Sequence, residues 1–79
     1  MPDARLDVSP LRCPMTWVRT KLALEALAAG QTLEVVLGPG EMLQNIPRNA
    51  REDGHSVDGP APFDDGRHLL LITKGTPTP

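Results

Sequence analysis

The chain has 79 residues, 8 of them Lys or Arg and 10 Asp or Glu, for a formal charge of -2. That length supports one small domain of two packed layers and excludes a second domain carrying its own active site. A single cysteine excludes an intramolecular disulfide framework, and one Cys with two His is too small a set of soft ligands for a closed structural zinc site.

With Trp17 and Phe63 as its aromatic residues and a negative net charge, the chain offers neither the basic field nor the stacking platform of a general nucleic-acid binder. No apolar run approaches the roughly 18 residues of a membrane span. Met1-Pro2-Asp3-Ala4-Arg5 carries no apolar stretch of the secretory kind, and together with a lone thiol this points to a reducing, cytoplasmic compartment. The expected organisation is a single domain over residues 1–79, ordered from about residue 5 to about residue 75, with a flexible tail at Thr76-Pro77-Thr78-Pro79.

Arg5-Leu6-Asp7-Val8 alternates polar and apolar residues, the period-2 pattern of a short half-buried strand, and Ser9-Pro10 ends it. From Pro14 to Ala29, Val18, Leu22 and Ala26 recur every four positions with Ala23 and Leu27 beside them, which predicts a helix buried along that stripe and closed by Gly30 at C′. Thr32-Leu33-Glu34-Val35-Val36-Leu37 reads as a central strand, turned by Gly38-Pro39-Gly40. Leu43, Ile46 and Ala50 have helical spacing and Gly54 ends that segment, with Pro47 expected in its first turn or at a kink. His55-Ser56-Val57 is a weak strand signal, and Gly59 to Gly66 has loop composition throughout. His68 to Thr73 is a nearly continuous apolar run and reads as the last strand. The order β-α-β-α-β-β predicts an α/β (α+β) two-layer sandwich, a four-stranded mixed sheet with two helices on one face, since each helix has one apolar stripe.

Chemistry concentrates at Cys13. Pro favours the first helical position, so Pro14 at N1 makes Cys13 the expected N-cap of the first helix, where unpaired amides and the helix dipole stabilise a thiolate over a thiol. In that register Thr16 is N3 and its amide points at the cap, and Thr16→Pro is expected to raise the thiolate pKa. The competing reading is an inert buried cysteine, but a residue between a strand end and a helix start, beside Arg12, belongs at the surface of a two-layer fold.

Leu6-Asp7 followed by Leu11-Arg12-Cys13-Pro14, with Lys21, Gly30, Ile46-Pro47, Gly54-His55 and Ile72-Thr73-Lys74-Gly75, resembles the TusA/SirA sulfur-carrier family over residues 5–75. The resemblance implies a two-layer sandwich whose Cys13 accepts sulfane sulfur as a persulfide from a cysteine desulfurase or rhodanese-type donor. It further implies relay of that sulfur to an acceptor protein, toward tRNA thiolation, cofactor biosynthesis or sulfur oxidation. By the same correspondence Pro14 orients the helix start and Lys21 contacts a partner. Such a protein is a persulfide carrier rather than a stand-alone turnover enzyme, and it needs no cofactor. A relay thiol must also lack a second thiol that would release its sulfur by forming a disulfide, which one cysteine satisfies. The chain departs from the family pattern at Pro10, where Gly is usual, at Thr16, where a second Pro is usual, and at Gly38 and Asn45, where acids are usual, which marks a divergent branch.

Arg12, Arg19 and Lys21 form a candidate basic rim for an anionic donor or acidic partner, against the alternative of a solvated helix face. His55 and His68 are weighed as general bases for Cys13 and read instead as a capping or strand-edge residue and a strand start. Trp17 is either core or a recognition anchor, and Arg48 and Arg51 read as solvated surface. Two other functions compete with the carrier: a regulatory docking module of the same fold that carries no sulfur, and a thiol peroxide sensor.

Overall fold

Residues 2–12 and 14–75 are described by the structure, a computed structural model. They form β1 (Ala4–Asp7), α1 (Met15–Glu25), β2 (Thr32–Leu37), α2 (Met42–Glu52), β3 (Ser56–Asp64) and β4 (Arg67–Thr73). The tail expected to be flexible at 76–79 lies outside the described residues. The strands form one mixed sheet in the order β1-β2-β4-β3, with β1 parallel to β2 and β4 antiparallel to both its neighbours. This is the expected two-layer arrangement.

The period-2 patterns of β2 and β4 place the core. Leu33 pairs with Ile72 and Val35 with Leu70, and Leu24 of α1 and Ile46 and Ala50 of α2 close over them together with Val8. None of these residues is more than 1% exposed. Burying each large aliphatic side chain contributes about 1.5 to 3 kcal/mol. On the other side of the sheet Arg5 and Glu34 face each other across β1 and β2, with Nη2 and Oε1 2.6 Å apart. That contact is a charge pairing outside hydrogen-bond alignment.

The first helix departs from its sequence reading. The expected inner stripe of Val18, Leu22 and Ala26 faces solvent, and α1 buries Thr16, Thr20 and Leu24 instead. Ala23 and Leu27, from the flank of the expected stripe, do pack on the core. A buried threonine is tolerated because its hydroxyl is satisfied within the helix. Thr20 Oγ1 donates to the Thr16 carbonyl at 2.7 Å, leaving a methyl to pack. The helix also ends at Glu25 rather than running to Ala29, so Gly30 is not its C′ residue. Gly30 instead donates its amide to the Lys74 carbonyl at 2.9 Å, which pins the connecting turn to the end of β4.

The second helix ends as expected. Asp53 is its C-cap and Gly54, at φ +91°, is C′; the Gly54 amide bonds to the Arg51 carbonyl and the His55 amide to that of Ala50, both at 3.0 Å. This paired closure needs a left-handed residue, which glycine adopts without Cβ strain. Pro47 lies inside α2, beyond the first turn, and is buried. Its ring packs where an amide would otherwise have gone to the Leu43 carbonyl.

The segment Gly59 to Asp64, expected as loop, belongs to β3. It is an edge strand with register shifts between Asp58 and Ala61 and between Pro62 and Asp64. An edge tolerates proline because one row of amides has no ladder to join, and the bulges and prolines guard that edge against further strand pairing.

Candidate functional site

Both parallel strands β1 and β2 run into loops at one end of the sheet, and those loops start α1 and α2. The first loop is shaped by Asp7, whose Oδ1 accepts from the Ser9 amide at 2.9 Å and from Ser9 Oγ at 2.6 Å. Those two bonds hold the Asp7 carboxyl below its ordinary 3.8, with a smaller contribution from Arg67. Arg67 Nη1 lies 3.5 Å from Asp7 Oδ2, while its Nε and Nη2 hold Asp64 and its guanidinium sits 5.3 Å from the Phe63 ring centroid. The β3–β4 hairpin is thereby tied to the strand that leads into the loop.

Leu11 then donates to the Val8 carbonyl at 3.0 Å, and the Arg12 carbonyl accepts the amides of Met15 at 2.8 Å and Thr16 at 3.3 Å. Cys13 itself lies outside the described residues, and the N-cap place expected of it is held by Pro14. Its neighbours Arg12 and Pro14 are both exposed. Pro14, expected at N1, is the N-cap of α1, and no side chain caps the helix among the described residues. Thr16 accordingly falls at N2 rather than N3 and is 3% exposed. Its amide serves the Arg12 carbonyl, so the expected donor toward the thiol is engaged elsewhere. What the fold retains at this end is the positive pole of an 11-residue helix.

The β2–α2 loop packs close against the first. A Cβ on Gly38 would stand 3.0 Å from the Ser9 carbonyl oxygen and 3.5 Å from Ser9 Cα, so the glycine permits an approach of two backbones that a side chain would hinder. Between the loops lies a groove of about 420 Å³, lined by Arg12 and Thr16 of the first loop and helix and by Glu41, Met42 and Asn45 of α2 over Leu11 and the flanking prolines. A groove of equal volume lies on the uncovered sheet face around Leu69 and Leu71, but it touches no neighbour of Cys13. Sequence reading passed over Glu41 and Met42, because neither has a motif and both are brought to Arg12 only by the parallel pairing of β1 and β2.

Arg19 and Lys21 are exposed on α1. They border the solvent-facing stripe of Met15, Val18 and Leu22, which are 43%, 38% and 57% exposed. On a 3.6-residue turn Lys21 falls on one side of that stripe and Arg19 on the other. Trp17 is half-buried and packs against the core, so it belongs to the fold.

The two histidines part company. His55 sits at the opposite end of the sheet from the β1–α1 loop, and its Nδ1 accepts the Gly75 amide at 3.0 Å. Burial, and then the Lys74 ammonium, push His55 below its ordinary 6.5, with Asp53 opposing. His68 lies at the loop end, in register with Leu37, with Nδ1 buried and without a hydrogen-bond partner among the described residues. Neither histidine lines the groove beside Arg12. Among the described residues no three of His, Asp and Glu converge as metal ligands, and no helix is long and apolar enough to cross a membrane.

Comparison with known proteins extends the likeness over almost the whole chain. The family described as "Sulfurtransferase TusA" matches residues 4–74. The chain is 35% identical over 69 residues to a "Putative sulfur carrier protein" of Archaeoglobus fulgidus, covering 87% of this chain and 78% of that protein. It is 40% identical over 65 residues to the Escherichia coli K12 protein named "Putative sulfur carrier protein YedF", covering 76% and 84%. In three dimensions it matches the crystal structure of a SirA-like protein from Desulfitobacterium hafniense with a TM-score of 0.79 at 26% identity, over 92% of this chain and 99% of that one.

Proposed function

The chain belongs to the TusA sulfurtransferase family and has its sulfur-carrier role; from that premise we propose that Cys13 carries the sulfur as a persulfide, received from a cysteine desulfurase or rhodanese-type donor and relayed to an acceptor protein. The Cys13 thiolate attacks the outer sulfur of the donor persulfide. A new S–S bond forms on Cys13, the donor's S–S bond breaks, and the donor's inner sulfur leaves as a thiolate that takes the proton from solvent. No external oxidant enters, because sulfane sulfur is passed on at its own oxidation level.

The observation that carries this reading is the surface around the cysteine. Arg12 and Pro14 are exposed on either side of it, and the apolar stripe of Met15, Val18 and Leu22 continues from there between Arg19 and Lys21. From Arg12 to Leu24 the chain has three cations and no anion. A surface with an apolar centre and a cationic border suits transient docking on a partner with an acidic rim. Pro14 sets the helix start and Thr16 packs it down, so both position the cysteine rather than react.

Intact-protein mass spectrometry after incubation with a cysteine desulfurase and cysteine, or a rhodanese and thiosulfate, tests the reading. The expected result is a gain of one sulfur atom that dithiothreitol removes and Cys13→Ser abolishes. A gain that resists the reductant is a sulfinic acid and points to oxidation instead. An unreactive Cys13 that leaves partner binding intact overturns the carrier in favour of a docking module.

A further inference from the structure

The groove between the two loops has a polarity that the transfer step does not use. Arg12, covalently joined to Cys13, is one wall, and Glu41 at the N-cap of α2 belongs to the other. Neither is in an ion pair among the described residues. Glu41 makes no capping hydrogen bond either, so its carboxylate is not spent on the helix it precedes. Asn45 is oriented from outside, its Oδ1 accepting from Arg48 Nη2 at 3.0 Å. That leaves the amide NH₂ end as a donor on a residue that lines the groove with Arg12. The floor, from Leu11, Met42 and the prolines, is apolar.

A guanidinium and an amide donor set near a carboxylate over an apolar floor complement a small zwitterion bearing an α-carboxylate, an α-ammonium and a short side chain. Resting on the carrier reading, we propose that this groove binds free cysteine persulfide as a low-molecular-weight sulfur source, with Arg12 and Asn45 on its carboxylate, Glu41 on its ammonium, and its outer sulfur delivered to Cys13. The transfer balances as before: the S–S bond of the small persulfide breaks, one forms on Cys13, and free cysteine leaves as the thiolate. A cysteine within a partner's chain lacks both free termini, so the groove distinguishes the small donor from a protein donor.

The test is a titration of ¹⁵N-labelled Cys13→Ser protein, which binds without transferring sulfur, with L-cysteine under reducing conditions, followed by amide shifts. The spectrum itself reports that the variant is folded. Saturable shifts at Arg12, Glu41 and Asn45 are expected, with cysteamine, lacking the carboxylate, and N-acetylcysteine, lacking the ammonium, each weaker by about tenfold or more. Adding Glu41→Gln should remove the preference for cysteine over N-acetylcysteine while leaving that over cysteamine. Absence of saturable shifts, or equal binding of the three probes, overturns the groove assignment. Loading of wild type by a cysteine desulfurase alongside such a result leaves the carrier reading standing. Failure of every donor, small or protein, to add sulfur to Cys13 overturns the carrier reading and the groove assignment with it.

Discussion

Lys74 reaches from the end of β4 to α1, where its Nζ donates to the Leu24 carbonyl at 2.6 Å. That carbonyl also accepts the Leu27 amide at 3.1 Å, so the ammonium is its second donor and sits at the negative pole of the dipole. The helix that starts beside Cys13 is thus fixed at its far end by the last strand. Lys74→Met should keep the fold and lower its stability by about 1 to 2 kcal/mol, read from urea unfolding. An unchanged unfolding midpoint would show that this contact adds nothing.

The same corner sets a pH dependence. His55 accepts the Gly75 amide at Nδ1 and lies below its ordinary 6.5, chiefly through burial and then through Lys74. The unfolded chain therefore takes up a proton near 6.5 while the folded one resists it. Stability is complete above 6.5 and is lost as pH falls from there toward the depressed folded value, below which His55 adds no further loss. Asp7 and Asp64 lie below 3.8 and lose their contribution only in more acid solution. Urea midpoints should fall as the pH is lowered below about 6.5, and His55→Gln should flatten that slope.

The rotation of α1 separates folding from docking. Leu22 is 57% exposed and Val18 38%, whereas Leu24, two residues from Leu22, is 1% exposed. Val18→Ser with Leu22→Ser should shift stability by no more than about 0.5 kcal/mol per site and weaken binding to a sulfur donor by about tenfold or more. Leu24→Ala should cost about 2 to 5 kcal/mol. Titration calorimetry against a donor that loads Cys13 reads the first effect, and chemical denaturation reads the second. Undiminished binding by the double variant would remove the stripe from the docking surface.

Gly38 controls how closely the two loops approach. A Cβ there meets the Ser9 carbonyl at 3.0 Å, backbone against backbone, with no flexible side chain to yield. Gly38→Ala should destabilise the fold by about 1 to 2 kcal/mol and slow sulfur loading of Cys13 under conditions where the variant is fully folded. A loading rate equal to wild type would confine the effect to stability.

The residues that mark the fold in sequence are those whose reason is local. Thr32 to Leu37 is a strand because β-branched and apolar residues fit a pleated, buried surface, and its sequence boundaries are its boundaries in the structure. Gly54 ends α2 because a left-handed residue is needed there. The position of Cys13 between a strand and a helix is equally local, since Pro10 and Pro14 punctuate that stretch whatever surrounds it.

Other features depend on what packs against them. Gly59 to Asp64 reads as loop because glycine and prolines oppose a central strand, and only its place at the sheet edge, paired on one side to β4, makes it part of β3. Arg12, Glu41 and Asn45 share a groove because β1 and β2 are parallel, a relation between residues nearly thirty apart in sequence. The face α1 buries was likewise undetermined by its pattern. Val18 and Leu22 are no less apolar than the residues that went inside, but a threonine with its hydroxyl returned to the backbone packs as a small apolar group. The sequence by itself determined the order of strands and helices in this sandwich, though not the full extent of β3 or the end of α1, and set its cysteine between β1 and α1 in the chain. The tertiary structure decided which side of α1 meets the core, and so left an apolar stripe beside that cysteine, because burial is settled by the shape of the opposing sheet and not by hydrophobicity along one helix.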